Sequence, residues 1–397
     1  MQFTRVDPLI SQPILCSAAN FRCLGFRSLC MRGLSDTIAR LKRLREASPD
    51  AAPANARLRS FDGYGSNPGQ LNRWIYTPQN LAPGAPLVVV LHGCTQSAAG
   101  YDQSSGWSRL ADQLGFVLLY PEQQRTNNPN LCFNWFSEED AARGKGEALS
   151  IREMVAGAHA RLGTDPRRVF VTGLSAGGAM AVVMLATYPE VFSGGAVIAG
   201  LPFGVARSIP EALDRMRGTD KWQPAQLSQR VRVASGHSDE WPTLSVWHGS
   251  ADLTVNPSNA SALVEQWRTL HGTVKAPSEA NLVHGYPHRV WRNSTGRAVV
   301  EEYSITGLGH GTPLDTRGTR HGERAAPFML EAGISSTRLI ARFWGIVSDK
   351  ADDRFSISRT VVDEPAGQRS PEDVRACADQ TGVRKTIEDA LRNAGLM

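Results

Sequence analysis

In "VFVTGLSAGGAMA", residues 169–181, a serine stands between glycines at the end of a β-branched apolar run. "RVFVTG" reads as a strand and "AGGAMAVVMLATY" as a helix. Ser175 then falls on the sharp turn between them, its hydroxyl raised above the carboxyl end of a parallel strand. A Cβ at Gly173 or Gly177 would collide with so tightly turned a backbone. Serine is a poor nucleophile at neutral pH and needs a base within hydrogen-bond reach and a carboxylate to orient that base. Of nine histidines, His310 lies between glycines in "ITGLGHGTPLD", directly after the strand "VVEEYSI". His288 and His284 fall in or near a strand, and His159 on a helix that starts away from the turn. Asp252, in "LSVWHGSADLTVNP", follows a β-run and precedes a helix start at Pro257. Its neighbour His248 reads as structural, packed under the acid loop. An oxyanion hole needs two backbone N–H groups; Ala176 supplies one and Cys94, in "HGCTQSAAGYD", the other. Such a set cleaves esters through an acyl-serine and calls for no cofactor and no metal.

The elements around these residues form an α/β pattern. "PLVVVLHG", "FVLLYP", "RVFVTG", "GAVIAG" and "TLSVWHG" read as buried strands alternating with helices such as "SSGWSRLADQLG", "EALSIREMVAGAHARLG" and "PSNASALVEQWRTLHG". That alternation predicts a mostly parallel central sheet with helices on both faces. "ARLRSFDGYGS" and "LNRWIYTP" are expected to pair as antiparallel edge strands, "YPHRVWRN" and "RAVVEEYSI" as a second pair, and "ISSTRLIARFWGIV" as a closing helix. Residues 121–146 read as a long loop. The order Ser175, Asp252, His310 is that of the α/β-hydrolase fold. Asp239 and Asp315 break that order, the first sitting in a Pro-, Arg- and Trp-rich stretch, 201–242, expected to be a lid or insertion.

The chain of 397 residues carries a formal net charge of +5, but residues 1–60 hold ten basic and four acidic side chains, so the body is close to neutral. A nucleic-acid binder would need a basic face on that body, and no motif for one is present. No apolar run is long enough to cross a membrane. Three parts are expected: a basic arm with an amphipathic helix and linker over 1–57, a hydrolase domain over 58–348, and a polar, partly disordered tail over 349–397. The arm could make weak membrane-surface contact. Arg22 and Arg27 interrupt any standard signal peptide, and Met31 is an alternative start to Met1.

With "LHGCTQ", "YPEQ", "CFNWF", "GLSAGGAMA", "YPEVFSGGAVIAG", "WHGSADLTVNP" and "GLGHGTP" in place, residues 58–348 resemble the PHB depolymerase family of esterases, which includes feruloyl and acetyl xylan esterases. The resemblance implies Ser175, Asp252 and His310 as a triad, Cys94 and Ala176 as oxyanion donors, and Trp135 as a substrate-binding aromatic wall. It also implies a disulfide between Cys94 and Cys132, stabilising by about 3 kcal/mol. The function implied is hydrolysis of short-chain or hydroxyalkanoate-type esters. Alternatives on the same residues are a feruloyl or acetyl xylan esterase, an acyltransferase, and a non-catalytic surface-binding protein on a hydrolase scaffold. The family resemblance points to an extracellular location, with a cytoplasmic one as the alternative.

Overall fold

The computed structural model describes residues 57–63, 65–218, 223–318 and 322–347. The arm expected before Arg57 and the tail expected over 349–397 lie outside the described residues. The strands are β1 (Arg59–Ser60), β2 (Asn72–Tyr76), β3 (Leu87–Leu91), β4 (Val117–Glu122), β5 (Val169–Leu174), β6 (Gly194–Ile198), β7 (Thr243–Gly249), β8 (Glu279–Val283), β9 (Tyr286–Arg292), β10 (Ala298–Ile305), β11 (Thr312–Leu314) and β12 (Met329–Glu331). The helices are α1 (Ala98–Ser105), α2 (Trp107–Leu114), α3 (Glu138–Ala141), α4 (Gly146–Leu162), α5 (Ala176–Thr187), α6 (Ile209–Met216), α7 (Pro224–Ser235), α8 (Ser258–Leu270) and α9 (Ser336–Phe343).

Ten strands make one sheet in the order β1-β2-β4-β3-β5-β6-β7-β10-β9-β8. The six from β4 to β10 pair in parallel, and antiparallel pairs close both edges. Leu87, Val89 and Leu91 of β3 enter one core and Val88 and Val90 the other, because side chains alternate across a pleated strand. Helices α4, α5, α7 and α8 contribute to the first core and α1, α2 and α9 to the second, so both faces of the sheet are covered. Every residue of α5 is buried, which accounts for its lack of a polar face. On the opposite face Trp344, just past α9, stacks on Phe170 of β5 and on Trp107 of α2.

The helical segment near residue 104 differs from the sequence expectation. Gly106 adopts φ 74° and breaks the run into α1 and α2, with Ser97 capping α1 through the Gly100 N–H. The long loop over 121–146 contains the short helix α3. Strand β8, "EANLV", lies almost wholly exposed at the sheet edge and is not expected from the sequence, where so short a mixed run carries little signal. Over 201–242, α7 sends Leu227 and Val231 into the core. Gln266 of α8, fully buried, bonds the Phe203 N–H, the Phe203 carbonyl and the Leu227 carbonyl. Among the described residues no helix is long and apolar enough to cross a membrane.

Candidate active site

Ser175 sits between β5 and α5 with φ 56° and ψ −119°, a region that costs a non-glycine residue about 1–3 kcal/mol. The surrounding bonds hold it there: its N–H donates to the Ile198 carbonyl at the end of β6, and its carbonyl accepts from Ala179. The flanking glycines are obligatory for a contact reason. A Cβ on Gly173 would stand 2.4 Å from the Gly177 backbone, and one on Gly177 would stand 2.4 Å from the carbonyl oxygens of both Leu91 and His92.

β5, β6, β7 and β10 are consecutive parallel neighbours, so the loops leaving their carboxyl ends share one edge of the sheet. Asp252 is on the loop after β7 and His310 on the loop after β10. The two loops are sewn together by Ser250 N–H to Ile305 O, Ala251 N–H to Leu308 O and Gly307 N–H to Ser250 Oγ. His310 Nδ1 lies 2.8 Å from Asp252 Oδ2, both side chains buried, and the ring meets Phe328 edge-on. The other carboxylate oxygen accepts the N–H groups of Thr254 and Val255 at 2.9 Å each.

His248 reaches the same carboxylate. Its Nε2 is 3.3 Å from Asp252 Oδ2 and 2.9 Å from the Val255 carbonyl, while the buried Nδ1 has no partner. Two acceptors at Nε2 require a proton there, so His248 donates from Nε2 and supports the acid loop. Burial would raise the Asp252 carboxyl, but the hydrogen bonds from His248 and His310 outweigh it and hold the group well below the usual carboxylate range. Asp239 and Asp315, the sequence rivals, make no described contact with His310, and the Asp315 N–H is engaged by Glu323.

On the loop after β3, the Gly93 N–H donates to Gln96 Oε1 and the Thr95 N–H, at φ 65°, to the Asn130 carbonyl. The Cys94 N–H between them has no acceptor among the described residues. Ala176 opens α5, where helix geometry leaves N–H groups without intrahelical partners. A disulfide joins Cys94 to Cys132, with Cα atoms 4.3 Å apart. Replacing Cys132 with Ser is expected to cost about 3–4 kcal/mol, read as a fall in melting temperature of roughly 6–12 °C. An unchanged melting temperature would show that the bond contributes nothing.

Sequence reasoning missed the buried network behind this loop. His92 donates from Nδ1 to the Gly93 carbonyl and accepts the Gln123 N–H at Nε2, and burial lowers its pKa, keeping the ring neutral. The Gln123 side chain donates to the Cys132 carbonyl and to Glu147, which also accepts from the N–H and side-chain amide of Asn134. Gln123 and Asn134 belong to "YPEQ" and "CFNWF"; Glu147 carried no signal. Burial, reinforced by Asp140, pushes the Glu147 carboxyl up to about 8 against the pull of its three donors. Its folded pKa exceeds its unfolded one, so its stabilising contribution is complete below about 4.5 and is lost as the pH rises through 8. Glu147→Gln is therefore expected to flatten the decline of unfolding free energy between pH 5 and 9, by an amount on the order of a few kcal/mol. Parallel declines in both proteins would refute that origin.

Trp135 is buried and packs edge-on against Phe136. It lines a cavity of about 390 Å³ with Phe203, Arg207, Arg230 and Val233, and the lining includes none of Ser175, Asp252 and His310.

A family model described as "Esterase PHB depolymerase" matches residues 73–292. The chain is 45% identical over 293 residues to poly(3-hydroxyalkanoate) depolymerase C of Paucimonas lemoignei, covering 73% of this chain and 70% of that protein. It is 31% identical over 269 residues to feruloyl esterase B of Talaromyces stipitatus, covering 66% and 74%. Among solved structures, the acetyl xylan esterase of Aspergillus awamori superposes with a TM-score of 0.62 at 27% identity, over 73% of this chain and 99% of that one.

Proposed function

The chain belongs to the PHB depolymerase family of esterases and is a serine carboxylesterase of the α/β-hydrolase fold, and on that premise we propose that Ser175, Asp252 and His310 are its triad. His310 Nε2 takes the Ser175 proton as the serine oxygen attacks the ester carbonyl. The N–H groups of Cys94 and Ala176 receive the charge that develops on the carbonyl oxygen. Collapse expels the alcohol, protonated by His310, and water activated by the same ring releases the acid from the acyl-serine. The observation that carries the reading is the buried Asp252–His310 bond, which ties two loops at the sheet edge where the strained Ser175 turn stands.

The substrate proposed is a short-chain or hydroxyalkanoate-type ester, supported by the 45% identity to a poly(3-hydroxyalkanoate) depolymerase. A second reading, feruloyl or acetyl xylan ester hydrolysis, is favoured by the similarity to feruloyl esterase B and to the acetyl xylan esterase structure. Residues 201–242 are proposed as a substrate-facing insertion, and an extracellular site of action is supported by the Cys94–Cys132 disulfide, which persists in oxidising surroundings. Specific rates on 3-hydroxybutyrate oligomers, amorphous polyhydroxybutyrate, methyl ferulate and acetylated xylan separate the two. The highest kcat/KM is expected on the hydroxybutyrate oligomers; a higher value on ferulate or acetylated xylan transfers the assignment to the second reading.

A further inference from the structure

The cavity beside Trp135 has features that the ester chemistry leaves unused. Its volume, about 390 Å³, lies in the range of small-molecule sites. Among the described residues its apolar wall is formed by Trp135, Phe136 and Phe203, and its charged wall by Arg143, Arg207 and Arg230 with the carboxylate Glu138. Arg143 is committed, bonding Glu190 and the Thr187 carbonyl. The half-buried Arg230 donates to the Gly204 carbonyl. The Arg207 guanidinium is exposed and pairs with no described residue; the nearby Glu211 carboxylate instead accepts the Arg207 backbone N–H. Burial first, and then the charges of Arg207 and Arg215, lower the Arg230 pKa, and Glu211 opposes them. Thr187, also in the lining, ends the helix that Ser175 begins, about 18 Å along its axis at 1.5 Å per residue.

We propose that this cavity binds a carboxylate bearing a flat or branched apolar body, with the anion at Arg207 and Arg230 and the body against Trp135, Phe136 and Phe203. Guanidinium groups suit a carboxylate because they present paired donors in one plane. An uncharged ester or amide of the same shape keeps the apolar contacts and loses the charge-assisted bonds. Such a carboxylate is the acid half of an ester, so the ligand's origin rests on the proposed function, whereas its binding here needs no catalysis.

Isothermal titration of 4-phenylbutanoate and of 4-phenylbutanamide into the whole protein tests the inference, since neither is an ester. Saturable binding of the acid is expected, with the amide at least about tenfold weaker, as loss of a bond to a charged group implies. Arg207→Gln and Val233→Glu change exposed positions of the lining, and each is expected to weaken the acid by about tenfold without changing the melting temperature. Ser175→Ala should bind the acid as the wild type does. Equal binding of acid and amide, undiminished binding by both lining variants, or no binding of the acid overturns the proposal. Should Ser175→Ala keep its esterase activity while the acid still binds, the triad falls and this site stands.

Discussion

Ser175→Ala is expected to lower kcat for p-nitrophenyl butyrate by roughly 10⁴- to 10⁶-fold, the scale of removing a nucleophile that acts as a unit with its base. The protein should unfold at nearly the wild-type temperature, since alanine meets the same backbone at φ 56° and loses only a hydroxyl. Ser175→Gly provides a control. It is expected to be equally inactive but more stable than the alanine variant by about 1 kcal/mol, because glycine adopts that φ without strain. A fluorophosphonate should label the wild type at Ser175 and neither variant. Retention of more than a few per cent of the activity by Ser175→Ala would remove this serine from the mechanism, and the family membership would then require another nucleophile.

Asp252→Asn should reduce kcat/KM by about 10³- to 10⁴-fold, through the tautomer of its partner. In the native arrangement an acceptor oxygen of Asp252 faces His310 Nδ1, which fixes the ring proton on that nitrogen and leaves Nε2 free to accept from serine. The amide keeps an oxygen for the Thr254 and Val255 N–H groups and turns its NH₂ toward His310. Donation from that NH₂ to Nδ1 moves the ring proton to Nε2, where it blocks proton transfer. The NH₂ also faces the Nε2–H of His248, which keeps its second acceptor, the Val255 carbonyl, so the loop survives. The readout is a large loss of kcat/KM with a modest fall in melting temperature. A loss under tenfold would mean that Asp252 only shapes its loop and that another group orients His310.

The family relationship makes the chain an ester hydrolase and sets aside a non-catalytic scaffold. It leaves to experiment which ester is turned over.

The sequence alone determined the α/β architecture and the positions of Ser175, Asp252 and His310 along it. Both signals are local: apolar runs of strand length alternate with helical ones, and glycines mark the turn at Ser175 and the loop at His310. Periodicity could not register Gly106, whose left-handed backbone divides α1 from α2, or the short exposed edge strand β8. Only the tertiary structure decided what lies behind these three residues. Two histidines share the Asp252 carboxylate, the chain His92, Gln123, Glu147 and Asn134 braces the Cys94 loop, and arginines and aromatic rings line one cavity at Trp135. Those arrangements join residues far apart in sequence through hydrogen bonds and buried charge, and such bonds take their partners from the folded packing, which no spacing along the chain encodes.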